Sequence, residues 1–183
     1  MEKLQRFGGA MMPPVMLMPF AGIMIGLASV FMNADIMGPL ASDTTIWYKV
    51  WSMLYDGGYA IFNQLPLLFA ISLPFGLTNK APGKAAMESF VIFITFNYFI
   101  QSLLGSFGSS LFGVDFSQEV GGTSGLTMIA NIKTLDTSVI GAILVGGISA
   151  WIHNRFYDKQ LPDYLKSFQS AALVVIIGFV LMI

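Results

Sequence analysis

An all-α, polytopic membrane helix bundle is the fold class this 183-residue sequence predicts, and three observations predict it. Hydrophobic residues make up 55% and charged residues 10%, against roughly 25% charged in soluble domains, so polar side chains are too few to cover a water-facing surface. Apolar runs of membrane-crossing length recur, since about twenty residues at 1.5 Å each match a hydrocarbon core of ~30 Å. One such run, from Ser138 to Trp151, is uncharged and ends in the cluster Trp151-Ile-His-Asn-Arg-Phe-Tyr-Asp-Lys159. Aromatic rings settle at headgroup level there, and the basic residues prefer the inner side.

Composition also excludes classes. A net charge of −1 offers no basic surface for nucleic acid. The absence of cysteine removes disulfides, thiolate nucleophiles and thiolate metal sites, and a single histidine leaves little for imidazole chemistry. No cofactor and no metal is expected, and the surrounding partner is membrane lipid.

About five transmembrane helices are expected, near 14–32, 59–77, 85–104, 138–157 and 164–183, with interfacial amphipathic helices between them. Residues 1–12 carry Glu2, Lys3 and Arg6 with Leu4, Phe7 and Met11 at helical spacing, which reads as a short interfacial helix. A signal peptide is disfavoured because Pro13, Pro14 and Pro19 interrupt the following run. In the first span, Gly22 and Gly26 form a G-x-x-x-G pair, read either as ordinary small-residue packing or as a dimer contact.

Residues 33–58 are too polar to span. Ile46, Trp47, Val50, Trp51 and Leu54 recur at helical spacing within them, so a helix lying on the outer face is expected there. The second span holds Pro66 and Pro74 and is expected to kink. Asn63 and Gln64 near its outer end serve bundle packing, or alternatively a polar solute. Residues 78–84 carry Lys80 and Lys84 without an acid and belong inside. The third span contains Glu88, with Lys84 four residues back as its expected partner, and the i, i+4 pair Asn97 and Gln101. An ionisable group in such a segment carries a functional reading by default, set here against snorkelling or capping.

Residues 105–125 are Gly- and Ser-rich and lie outside by alternation. Residues 126–136 form a mixed stretch, read as a short re-entrant or interfacial piece, in which Lys133 and Asp136 make an ion pair. Thr134, Asp136, Thr137 and Ser138 are helix-starting residues for the fourth span. His153 is read as an interfacial residue at its end. Seven basic residues (Lys3, Arg6, Lys80, Lys84, Arg155, Lys159, Lys166) then fall inside and two (Lys49, Lys133) outside, which places the amino terminus in the cytoplasm. After Lys166 the chain stops inside an apolar run without an anchoring Trp, Tyr, Lys or Arg. The expectation is a truncated chain. Gly22, Gly26, Gly141, Gly146 and Gly147 are the positions expected to make helix-packing or dimer contacts.

Three stretches carry a resemblance: QRFGGAMMPPVMLMPFAGIMIGLA, GVDFSQEVGGTSGLTMIANIKTLDTSVIGAI and HNRFYDKQLPDYLKSFQ. They are similar to the amino-terminal part of the enzyme IIC component of the bacterial phosphoenolpyruvate-dependent sugar phosphotransferase system, within its glucose superfamily and nearest its α-glucoside, maltose-type branch. The resemblance implies a homodimeric permease of the bacterial inner membrane, taking up an α-glucoside such as maltose, or glucose, while enzyme IIB and IIA partners phosphorylate it. It implies that these residues are scaffold and dimer-interface helices, that the sugar-binding half and the IIB domain lie beyond them, and that no catalytic or substrate-binding residue is assigned here. Two other classes remain beside it. One is a transport-inactive remnant or small membrane channel or assembly partner. The other is a membrane enzyme, against which the lack of a carboxylate cluster counts.

Overall fold

The computed structural model describes the backbone of residues 2–183 and side chains from Leu4 onward. Met1 and the side chains of Glu2 and Lys3, which entered the sequence reading, lie outside the described residues. The helices are α1 (Glu2–Phe31), α2 (Ala34–Met37), α3 (Ile46–Asn63), α4 (Leu65–Leu77), α5 (Pro82–Phe107), α6 (Ser138–Phe156) and α7 (Ala171–Leu181), with strands β1 (Leu126–Ile129) and β2 (Ile132–Leu135) before α6. Three helices are long and apolar enough to cross a membrane, four if α3 and α4 count as one broken span. The shorter apolar α7 is a fifth segment, covering about 16 Å.

Element boundaries differ from the sequence reading in four places. The separate interfacial helix over 1–12 is continuous with the first span: α1 runs thirty residues through Pro13, Pro14 and Pro19. Where water is scarce, a helix that forgoes a few bonds at prolines leaves fewer orphaned groups than one that stops. The polar stretch before residue 59 does not remain apart from the second span. α3 starts at Ile46, where the Thr45 hydroxyl accepts the Tyr48 N–H at 3.1 Å, and continues to Asn63, so that the break falls at Gln64. Residues 126–136 form a β-hairpin, Leu126 opposite Leu135 and Ile129 opposite Ile132. Ala130 and Asn131 turn it with φ of 46° and 66°, the two successive positive values a two-residue type I′ turn requires. Finally, residues 163–168 form a 3-10 turn, and the last α-helix begins only at Ala171.

The chain divides into two compact units. The smaller, Met12–Leu65, packs α1 on α3. Ala21 and Ala28 are buried in α1, and Gly58 of α3 lies so close that a Cβ there would stand 2.8 Å from Ile25 Cγ1 and 3.3 Å from the Ala21 carbonyl oxygen. Trp47 donates its indole N–H to the Phe31 carbonyl at 2.9 Å, filling one of the orphan acceptors at the end of α1, while Trp51 stacks on Phe31 at 4.3 Å.

The larger unit holds the residues up to Met11 and Pro66–Ile183. Its centre is α5, which packs against α6, α7 and β2, with Phe93, Leu73, Ile92, Ile152 and Val174 fully buried around it. A small residue marks several crossings. Gly76 of α4 meets Ala10 of α1, where a Cβ would lie 2.8 Å from the Ala10 Cα, and Gly178 of α7 lies against Ile92 of α5. Pro74 of α4 has no N–H to offer the Ala70 carbonyl one turn earlier. The Ser89 hydroxyl of α5 donates to that carbonyl at 2.6 Å instead.

Outside the helices, Lys133 of β2 donates to the carbonyls of Phe116 and Gln118 at 2.7 and 2.5 Å and stands 4.9 Å over the Phe116 ring. It thereby fastens the Gly-rich loop to the hairpin, and Asp136 accepts the Ser138 N–H at 2.8 Å rather than pairing with Lys133. In the same loop the Asp115 carboxyl is held below the usual carboxylate range, first by the Ser117 hydroxyl and N–H, then by the Gln118 side chain and last by the Lys133 charge.

Candidate functional site

At one end of the larger unit, the last turn of α6 meets the first turns of α5 and the loop between α4 and α5. The local sequence explains the shape. Thr78 closes α4 by donating its hydroxyl to the Pro74 carbonyl at 2.8 Å. Ala81 takes a left-handed conformation at φ 45°, and Pro82 occupies the first helical position of α5, where its missing N–H costs nothing. That tight corner aims the Lys80 carbonyl inward.

His153, one turn from the end of α6, fills the space beneath it. Its Nδ1 lies 2.6 Å from Glu88 Oε2 and its Nε2 lies 2.9 Å from the Lys80 carbonyl oxygen. Both side chains are enclosed, His153 at 1% and Glu88 at 3% exposure. The Tyr157 ring stacks on the imidazole at 4.4 Å, with the Lys84 ammonium 5.8 Å from the centre of that ring. The rest of the loop is stitched down. Asn154 accepts the Asn79 N–H at 2.9 Å and donates to the Leu77 carbonyl at 3.2 Å, and Arg6 of α1 reaches Asn79 Oδ1 at 3.0 Å and the Thr78 carbonyl at 3.3 Å. Lys80 pairs with Asp158 at 2.7 Å on the exposed rim, and that carboxylate raises the Lys80 ammonium above the ordinary lysine range.

The sequence reading treated Glu88 and His153 apart, Glu88 as a partner of Lys84 and His153 as an interfacial residue. The structure brings the two together and buries His153 one turn from the end of α6. Sixty-five residues separate them, and the signal that joins them is that His153 is the chain's single histidine and Glu88 the one acid well inside the expected membrane spans. Trp151, by contrast, is exposed beside them as an aromatic anchor should be. Asn97, expected to share a polar face with Gln101, is buried and donates to the Phe93 carbonyl of its own helix at 2.7 Å.

The five glycines part ways. Gly146 of α6 lies on the α4 backbone, where a Cβ would stand 3.1 Å from the Ala70 oxygen and 3.3 Å from its Cα. At Gly141 the atoms nearest an added Cβ belong to Thr137, one turn earlier. At Gly22, Gly26 and Gly147 a Cβ would meet nothing within 4 Å. Gly58, Gly76 and Gly178 also make close crossings and were not among the glycines singled out from the sequence. Among the described residues no group of three metal-ligating side chains gathers.

Apolar helices of spanning length, closed at one end by a buried acid–imidazole pair, define an integral membrane protein of the helical class. Residues 8–183 match the family profile "Phosphotransferase system, EIIC", and the chain belongs to that family of membrane permeases. Over 183 residues it is 51% identical to the maltose-specific EIICB component of Bacillus subtilis (strain 168) and 49% identical to the alpha-glucoside-specific EIICB component of Fusobacterium mortiferum, covering all of this chain and 34% and 35% of theirs. Over 184 residues it is 47% identical to the phosphotransferase IIC component GlvC of Escherichia coli (strain K12), again across the whole chain and half of that protein. The chain thus spans about a third to a half of the length of these relatives.

Proposed function

We propose that this chain is the scaffold portion of a sugar permease that takes up an α-glucoside such as maltose, or glucose, across the bacterial inner membrane with coupled phosphorylation by IIB and IIA partners. The observation that carries this reading is the 51% identity over the whole chain to a maltose-specific component, well above what fold alone demands. The relatives named EIICB join such a membrane part to a B component in one polypeptide, which supports IIB as the partner type. In cells that carry the gene, its disruption should abolish most phosphoenolpyruvate-dependent uptake and phosphorylation of radiolabelled maltose. Unchanged uptake of maltose and of other α-glucosides would remove the proposal.

Within the permease, the amino terminus faces the cytoplasm and two copies associate. The orientation is supported by the gathering of Arg6, Lys80, Lys84 and Arg155 around one end of the larger unit, the arrangement that keeps basic residues on the inner side. The dimer is supported by the exposed Gly22 and Gly26 face of α1, where a Cβ would meet nothing within 4 Å among the described residues of its own unit. Because the chain has no native cysteine, Ile23→Cys supplies a lone thiol beside that face. Gly22→Leu with Gly26→Leu should cut its disulfide cross-linking in membranes by roughly ten-fold, as lost close packing between helices would require. An unchanged yield would place the contact elsewhere.

A further inference from the structure

The protonation of the Glu88–His153 pair follows from its hydrogen bonds. A carbonyl oxygen has no proton to give, so the Lys80 carbonyl requires that His153 Nε2 carry one. The 2.6 Å approach of Nδ1 to Glu88 Oε2 then needs a proton between them, because without one two lone pairs would face each other. With two, an imidazolium beside a neutral acid would leave a net charge in a site almost closed to solvent. One shared proton makes the pair neutral overall. Which side holds it is indicated by the other carboxyl oxygen. Among the described residues Glu88 Oε1 is buried without a hydrogen-bond partner. As part of a carboxylate it would keep half a negative charge unsolvated, whereas as the carbonyl oxygen of an acid it is far less costly. The charged groups around the site leave this intact. Lys84 lies one turn from Glu88 and is exposed, Lys80 is satisfied by Asp158, and Arg6 is engaged with Asn79 and Thr78.

We propose that Glu88 is a neutral carboxylic acid donating its proton to a neutral His153, and that this uncharged relay latches the α4–α5 loop at Lys80 to the inner ends of α5 and α6. The loop is held at its centre by a side chain of α6, which is in turn oriented by α5, so the three elements move as one. Breaking the relay at Glu88 frees the imidazole to turn and releases the loop, although the bond to the loop is made by His153.

Nitrogen-15 histidine labelling tests this in the full chain in lipid bilayers, where one imidazole gives one unambiguous pair of signals. The expected spectrum has Nε2 protonated and Nδ1 bare but strongly hydrogen-bonded. An imidazolium with both nitrogens protonated, or the opposite tautomer, overturns the proposal. Amide hydrogen exchange of residues 78–81 supplies the second readout. Glu88→Gln, whose amide still donates to Nδ1, should keep loop protection within about two-fold, whereas Glu88→Ala should lower it by about ten-fold or more. Equal protection in wild type and Glu88→Ala would show that the loop is held without the relay, and equal loss in Glu88→Gln would show that the acid's proton donation is not what holds it.

Discussion

His153→Ala should destabilise the larger unit by about 3 kcal/mol, the largest effect expected of any single polar truncation in the chain. The substitution removes the imidazole between Glu88 and the Lys80 carbonyl and leaves both without their partner in a closed site. Each orphaned polar group costs about 1–3 kcal/mol, and the emptied ring volume adds a cavity term under Tyr157. Asp158→Ala serves as the control. It removes an ion pair of similar sequence position but on the exposed rim, so a change within about 0.5 kcal/mol is expected. Unfolding by denaturing detergent in mixed micelles, followed by tryptophan emission, measures both. If His153→Ala falls within 0.5 kcal/mol of its control, the pair is not what holds this end of the helices.

The second large effect is steric. Gly146→Leu drives a branched side chain into the α4 backbone, since even its Cβ would sit 3.1 Å from the Ala70 oxygen and 3.3 Å from the Leu73 Cβ. Backbone cannot swing aside as a flexible side chain can. A loss of about 3 kcal/mol is expected, at the upper end of core overpacking, because the same Ala70 carbonyl is also the acceptor for Ser89. Gly147→Leu, one residue on and facing open space, should change stability by less than about 0.5 kcal/mol. Equal effects at the two positions, read by the same detergent titration, would mean that the α4–α6 crossing does not decide the outcome.

How much of this was legible before the structure depends on the range of the cause. Hydrophobic length and charge asymmetry act along a single segment, and the apolar stretches expected near 14–32, 85–104 and 138–157 correspond to α1, α5 and α6, α1 starting earlier than expected. The second span does break, as its prolines led one to expect, but at Gln64 between α3 and α4, while α4 continues through Pro74, where Ser89 of another helix supplies the missing donor. The hairpin was hidden by its brevity, four residues a strand, and by an Ala-Asn turn in place of the glycine that usually announces one. The candidate site was half visible. Glu88 stood out as an acid in an apolar segment, but nothing in residue spacing links it to a histidine 65 positions away. Of the five packing glycines, Gly22 and Gly26 were read from a motif and the other three from their small size, and among the described residues Gly146 is the one seen to lie on another helix, because residue size on one helix says nothing about which face a partner covers.

The bond from Ser89 to the Ala70 carbonyl also bears on how the helices find one another. Lipid tails are as oily as leucine, so apolar surface alone gives a spanning helix no reason to choose one neighbour or one vertical offset over another. Pro74 makes a single vacancy in an otherwise self-sufficient helix, and only a hydroxyl at one height on the adjoining helix can fill it. Sliding α5 by one residue would carry Ser89 past the vacancy and turn it away from α4. A missing amide proton in one segment therefore works as an address, telling a second segment where to stop.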